Sequence, residues 1–268
     1  IAIRSRYMSE SPVWAANQGD LKGAAAILRS AWNINAQVAP DAGLTAATPV
    51  RKASWRNYGA LLQGVYRRRT LLATITSIAS SFAYNAVAFG LPVIISSFFA
   101  QSMLTTILVS LALNLLFAFV GGILAVRLVP RLGAWKMSVA GYGCQCVALL
   151  GLALLGRPEG GQEAALAIGM LALFLFGQGF GPGSHTMTFA SLSYPTSLRG
   201  VGVGFNQTLM RGSSTVSLFL FPVLVAALGT GVFWVIFLAP LAGLLALLAI
   251  RWEPSGYDVD AEDFELPR

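Results

Sequence analysis

Six long stretches almost empty of charge constrain this chain more than anything else in it: about 71–99, 103–129, 135–156, 164–194, 200–228 and 231–250. A bilayer core about 30 Å thick is crossed by about 20 helical residues, and each stretch reaches that length. Barrel strands need only about 9–11 residues with strict alternation, which these runs lack. In lipid every backbone N–H and C=O must be paired within its own segment, so the stretches are expected to be helices. Only 11% of residues are charged and 56% are hydrophobic, where a soluble domain carries roughly 25% charge. That excludes a soluble globular protein, a disordered chain and a disulfide-stapled secreted domain. The two cysteines, Cys144 and Cys146, are two residues apart in an apolar run and cannot bridge as helix neighbours. The expected fold is an all-α membrane protein with a six-transmembrane-helix bundle over 70–251. A polar linker with short amphipathic helices precedes it over 1–69, and an acidic tail follows over 252–268.

Charge is as unevenly spread as hydropathy. No Asp or Glu lies between Asp41 and Glu159, and none between Glu163 and Glu253. The formal charge of +7 does not point to nucleic acid, because most of the basic residues flank apolar spans. Ten Lys or Arg lie in residues 1–69, ending in Arg67, Arg68 and Arg69. Arg127, Arg131 and Lys136 follow the second span, Arg199 follows the fourth, and Arg251 and Arg268 follow the sixth; Arg157 alone lies on the opposite side. Basic loops mark the cytoplasmic face, so both ends of this segment are expected there, in a multi-pass protein of the cell membrane. The first residue is Ile1 and no signal peptide is apparent, so the expectation is a piece of a longer chain.

Three motifs point to a family. Ser9-Glu10-Ser11-Pro12-Val13-Trp14, followed by Gly19-Asp20-Leu21-Lys22-Gly23-Ala24, resembles the segment after the sixth helix of sugar-porter-like members of the major facilitator superfamily, with Val13 in place of an arginine. Gly121-Gly122, then Arg127, Pro130, Arg131 and Gly133, is similar to that superfamily's loop motif, with Pro130 where Asp is usual and Ala134 where Arg often stands. Gly181-Pro182-Gly183-Ser184-His185 leading to Tyr194-Pro195-Thr196-Ser197-Leu198-Arg199 resembles the tenth-to-eleventh helix region of phosphate:proton symporters and related metabolite:proton symporters. There Gly183 replaces an asparagine and Leu192 a glutamate, so Arg199 lacks the family's carboxylate partner. The resemblance implies the C-terminal half, helices seven to twelve, of a twelve-helix transporter, with a missing N-terminal six-helix half as its partner. It also implies a cytoplasmic gating motif of Gly122, Arg127, Arg131, Gly133 and Arg199.

Polar groups inside lipid are expensive and usually face a cavity or the bundle interior. On the first span Ser77, Ser81, Tyr84 and Asn85 approach the midplane. On the fourth, Gln178, Gly181 and His185 are spaced i, i+3, i+7, and on the fifth Asn206 and Gln207 lie a turn before Arg211. At that depth an arginine costs at least about 2.5–3.5 kcal/mol, and no acid in these spans neutralises it. Its expected partner is an anionic substrate, a carboxylate of the other half, or water. The family resemblance matches Arg211 to a substrate-site lysine of phosphate symporters, and Tyr84 to a tyrosine whose neighbouring acid is Ser80 here. The expected substrate site is Arg211, His185, Gln178, Asn206, Gln207, Tyr84 and Asn85.

The expected function is secondary transport of a small polar metabolite, an organic anion moved with protons by alternating access. The alternatives are a sugar-like solute facilitator, a drug exporter and, remotely, a six-helix intramembrane enzyme. Against an enzyme, adjacent Ser184 and His185 do not face each other on a helix. One histidine and two near-adjacent thiols make no metal site, and no cofactor is expected. Aquaporin Asn-Pro-Ala repeats and mitochondrial-carrier repeats are absent from the sequence.

Overall fold

The computed structural model describes residues 11–17, 19–36, 56–99 and 103–259. The chain divides into two compact units, Ile1–Ser54 and Trp55–Arg268. In the first, α1 (Pro12–Asn17) precedes α2 (Leu21–Trp32). The Asp20 carboxylate caps α2 by accepting from the Gly23 N–H at 2.8 Å, and Asn33 ends it in the left-handed region at φ 57°. Helix α2 is amphipathic. Ser9 and Glu10 of the first motif, residues 40–49 and the tail beyond Val259 lie outside the described residues.

The second unit begins with α3 (Arg56–Leu61) and α4 (Gly64–Phe99). Next come α5 (Met103–Leu113), a π-helical turn (Asn114–Ala118) and α6 (Phe119–Leu132), then α7 (Ala134–Leu155), α8 (Gly161–Phe180) and α9 (Pro182–Leu192). It closes with α10 (Thr196–Leu228), a 3-10 turn (Gly229–Gly231) and α11 (Val232–Ala249). Among the described residues, five stretches are long and apolar enough to cross a membrane. The last, Thr196–Ala249, has 54 residues, about 81 Å of helix at 1.5 Å per residue. That is far more than one crossing of about 30 Å. Gly229, at φ 56° and ψ −127°, divides it into α10 and α11.

Contacts fix the directions of the helices. Asn206, Ser213 and Ser217 on α10 donate to the carbonyls of Ala73, Ile78 and Phe82 on α4, at 3.3, 3.1 and 2.7 Å. The numbers rise together, so α4 and α10 are parallel. Trp135 Nε1 on α7 donates to Leu247 O on α11 at 2.8 Å, and Tyr142 packs against Gly243, so that pair is antiparallel. Gln145 meets Gln178, while Gly151 faces Met170, so α7 and α8 are antiparallel too. Ser80 meets Gln178 and Thr70 meets Tyr194, which sets α4 against α8 and α9. Gly179 abuts Ala118, and Ala125 shares a groove with Ser184, so α6 runs with α8 and α9. Thus α4, α7 and α10 point one way, and α6, α8–α9 and α11 the other.

Lipid tails give apolar helices no hydrophobic reason to associate, so small residues that admit close backbone approach carry the packing. A Cβ on Gly141 would lie 2.6 Å from Gly177 O, and one on Gly121 would lie 2.6 Å from Phe176 O. Gly122, by contrast, has nothing within 4 Å of such an atom. The close-approach glycine of the loop motif is therefore Gly121.

Hydropathy placed the helix starts too late. Gly64, at φ 52°, turns the chain into α4 seven residues before 71, so Arg67–Arg69 are helical rather than the end of a linker. Extended Pro195 (φ −62°, ψ 161°) starts α10 at Thr196, not at 200. Hydropathy marks where lipid begins, whereas backbone geometry marks where a helix begins. Gly181 (φ −113°, ψ −106°) separates α8 from α9, which opens on Pro182.

Candidate functional site

The middle of α10 carries a polar face that no other described helix covers. Gly204, Thr208, Arg211, Gly212 and Thr215 are all exposed. The hydroxyls of Thr208 and Thr215 donate to Gly204 O (2.9 Å) and Arg211 O (3.1 Å), one turn back, which conceals them within their own helix. The Arg211 guanidinium has no such recourse, and among the described residues it has no polar partner. It stands fifteen residues after Thr196, about 22 Å along the axis at 1.5 Å per residue. Gln207, one turn before it, touches the Met187 sulfur on α9. Tyr194 packs against Gly202, so α9 and α10 are antiparallel, and the register sets exposed Gly183 level with Arg211. A Cβ on Gly183 would lie 2.6 Å from Gln178 O, so the position suits glycine.

The other expected site residues lie in separate seams. Gln178 is buried and engaged: its Oε1 accepts from Gln145 Nε2 at 2.6 Å, and its Nε2 donates to Ser80 Oγ at 3.0 Å. That network joins α4, α7 and α8. Asn206 is buried with its Nδ2 on Ala73 O. Asn85 Nδ2 donates to Ser81 O at 2.6 Å and to Ser214 Oγ at 3.2 Å, within the α4–α10 seam. Tyr84 points the other way and donates to Asn114 Oδ1 of the π-helical turn at 3.3 Å. His185 is 3% exposed and lines a groove of about 340 Å³ between α6 and α9, with Ser184, Thr188 and Ser255. Neither of its ring nitrogens has a partner among the described residues. It lies two residues before Met187, about 200° round the helix, so α9 separates it from Gln207. The structure brings Arg211 and Gln207 onto one open face and Asn206 and Asn85 into one seam; it does not gather all seven residues.

The loop-motif residues lie at the end of the bundle where α6 and α11 finish. Arg127 and Arg131 are exposed. Arg199 Nε donates to Tyr194 O at 3.4 Å. Gly133, at φ 82°, turns α6 into α7, and a Cβ there would strike the Glu253 carboxylate. That carboxylate accepts from the N–H groups of Ala134 (3.0 Å), Trp135 (2.9 Å) and Ser255 (3.0 Å), capping α7 with a full negative charge. Trp252 donates to Ser193 Oγ at 3.2 Å and carries the Arg69 guanidinium 3.8 Å above its ring. Tyr194 donates to Thr70 Oγ1 at 2.9 Å, and Thr70 passes the bond to Leu61 O at 2.7 Å. Sequence reasoning did not single out Glu253 or Trp252. The available signal was position: Glu253 is the first acid after a run with none since Glu163.

Residues 2–250 match the family described as Sugar (and other) transporter. The chain belongs to that family. It is therefore a multi-pass membrane transporter of the major facilitator superfamily, and the polar face of α10 is read as part of a transporter. No curated protein matches the chain.

Proposed function

We propose that this major facilitator chain is a six-span lobe, helices seven to twelve, of a twelve-helix carrier. It moves a small organic anion, with proton symport, by rocking against a second six-helix half around a midplane site. The observation that carries the reading is Arg211: a cation without a polar partner among the described residues, on an exposed polar face midway along a membrane-length helix. Insertion of such a residue costs at least about 2.5–3.5 kcal/mol at the helix centre, so a facing anion or aqueous cleft must offset it. Gln207 and the open space beside Gly183 would help orient a carboxylate. His185, Gln178, Asn206, Tyr84 and Asn85 belong to the proposed site as supports and polar lining. Proton carriers would come from acids on the second half, since the spans of this chain hold none. Exposed Arg127 and Arg131, with Gly122, Gly133 and Arg199, would form the cytoplasmic gate by meeting acids of that half. Both ends of this segment would then be cytoplasmic.

Uptake of radiolabelled carboxylates by the full-length gene product in proteoliposomes tests this. Arg211→Ala abolishes the uptake and Arg211→Lys keeps part of it; unchanged carboxylate uptake in Arg211→Ala rejects the anion site. The family's description favours a second reading, a neutral sugar. Sugar counterflow that survives Arg211→Ala, with no carboxylate flux in either protein, would establish that reading instead.

A further inference from the structure

A broad concavity lies away from α10. It measures about 1030 Å³ and lies between the start of α4 and the end of α11. Arg67, Arg68, Arg69 and Arg251 line it, and among the described residues no acidic side chain does. Arg69 is buried and engaged, stacked on Trp252, and forms the floor. Arg67, Arg68 and Arg251 are exposed and supply the free charge of the rim. Arg251 is held 4.9 Å from the centre of the Trp135 ring, which orients it without neutralising it. The nearby Glu253 carboxylate is committed to three backbone N–H groups.

The same cleft has an apolar wall. Val65 and Leu71 line it and are each 40% exposed, and Ile250 closes the far side. The wall lies where the first apolar run begins and the last one ends, with Trp135 and Trp252 beside it. Indole rings favour that level of a membrane. A soluble anion would need the guanidinium groups but not a wall of exposed aliphatic side chains. A phospholipid needs both, the cations for its phosphate and the wall for its acyl chains. We infer that this cleft binds an anionic glycerophospholipid, headgroup on Arg67, Arg68 and Arg251, tails along Val65 and Leu71. The inference requires only a membrane protein, so it stands or falls apart from any substrate.

Native mass spectrometry of the full-length protein in neutral detergent tests it, with dioctanoyl phosphatidylglycerol and phosphatidylcholine offered in equal amounts. An arginine near an anionic surface contributes about 1 kcal/mol, about fivefold. Three should give phosphatidylglycerol a preference on the order of a hundredfold. The variant R67Q/R68Q/R251Q is expected to fall close to parity, and R67K/R68K/R251K to keep most of the preference. Millimolar inorganic phosphate should leave the lipid in place. Parity in the unmodified protein overturns the inference, and so does an unchanged preference in the glutamine variant. Displacement by inorganic phosphate would also overturn it, since the cleft would then be a soluble-anion site. If the triple variant does not elute as a monodisperse species, the three single glutamine variants decide. Each should lose about fivefold, and no loss in any of them overturns the proposal.

Discussion

Gly121 and Gly122 are neighbours of one residue type on one helix, and only contact distinguishes them. A Cβ on Gly121 would meet Phe176 O at 2.6 Å and Phe180 N at 2.8 Å, both backbone atoms that cannot swing aside. Overpacking of this kind costs about 1–3 kcal/mol, so Gly121→Ala should lower the melting temperature in detergent by several degrees. Gly122→Ala meets nothing within 4 Å and should leave it unchanged. Equal melting temperatures for the two variants would mean that α6 and α8 do not approach as described. The candidate site has the same property: residue type was legible, partner was not. Spacing alone placed Gln207 and Arg211 one turn apart on one face, and that face is open. Spacing could not place Gln178 and Asn206, because their partners Gln145, Ser80 and Ala73 lie 33, 98 and 133 residues away. A polar side chain at the right depth is as consistent with a seam between helices as with a cavity.

Among the elements, α7 depends on a residue beyond the end of α11. Its first N–H groups would otherwise be unpaired, since Gly133 has no side chain to cap them, and Glu253 fills that role. Loss of a cap costs about 0.5–2 kcal/mol. Glu253→Ala should lower the melting temperature, and Glu253→Gln, which keeps one acceptor but not the charge, should lower it less; no change in either would show that water serves α7 as well. The glutamine pair across α7 and α8 gives a second test. Gln178→Leu leaves Gln145 Nε2 and Ser80 without their buried partner, at about 1–3 kcal/mol. Gln145→Leu/Gln178→Leu should recover part of that loss, because removing both partners is cheaper than stranding one. Additive losses in thermal unfolding would contradict a direct bond. Hydropathy made these elements legible at the level of existence. It did not show the π-helical turn at Asn114–Ala118, because i→i+5 bonding changes no residue's hydropathy. Nor did it show α4 running back to Gly64, because a helix does not stop where lipid does.

At the scale of the molecule, the seams fix an alternation that can be read from outside. Since α4, α7 and α10 run opposite to α6, α8–α9 and α11, the starts of α4, α7 and α10 share one membrane face with the ends of α6, α9 and α11. That face carries Arg67, Arg68, Arg131, Lys136, Arg199 and Arg251, while Arg157 lies at the other. This asymmetry is what the charge count in the sequence already expressed, because positive loops are retained on the cytoplasmic side. The division of Thr196–Ala249 into α10 and α11 was legible for a simpler reason: 54 residues are too many for one crossing. A protein with Cys144 and Cys146 replaced by alanine, carrying one new cysteine at a time, checks both points with a membrane-impermeant maleimide. Cysteines placed at Gln63, Lys136 and Ser255 should react only in inside-out vesicles. Cysteines placed at Gly160 and Thr230 should react only in right-side-out vesicles. Thr230 is the decisive position: labelling from the same side as Lys136 would mean that α10 and α11 do not turn back at Gly229, leaving an odd number of crossings and the end of α11 on the wrong face to meet α7.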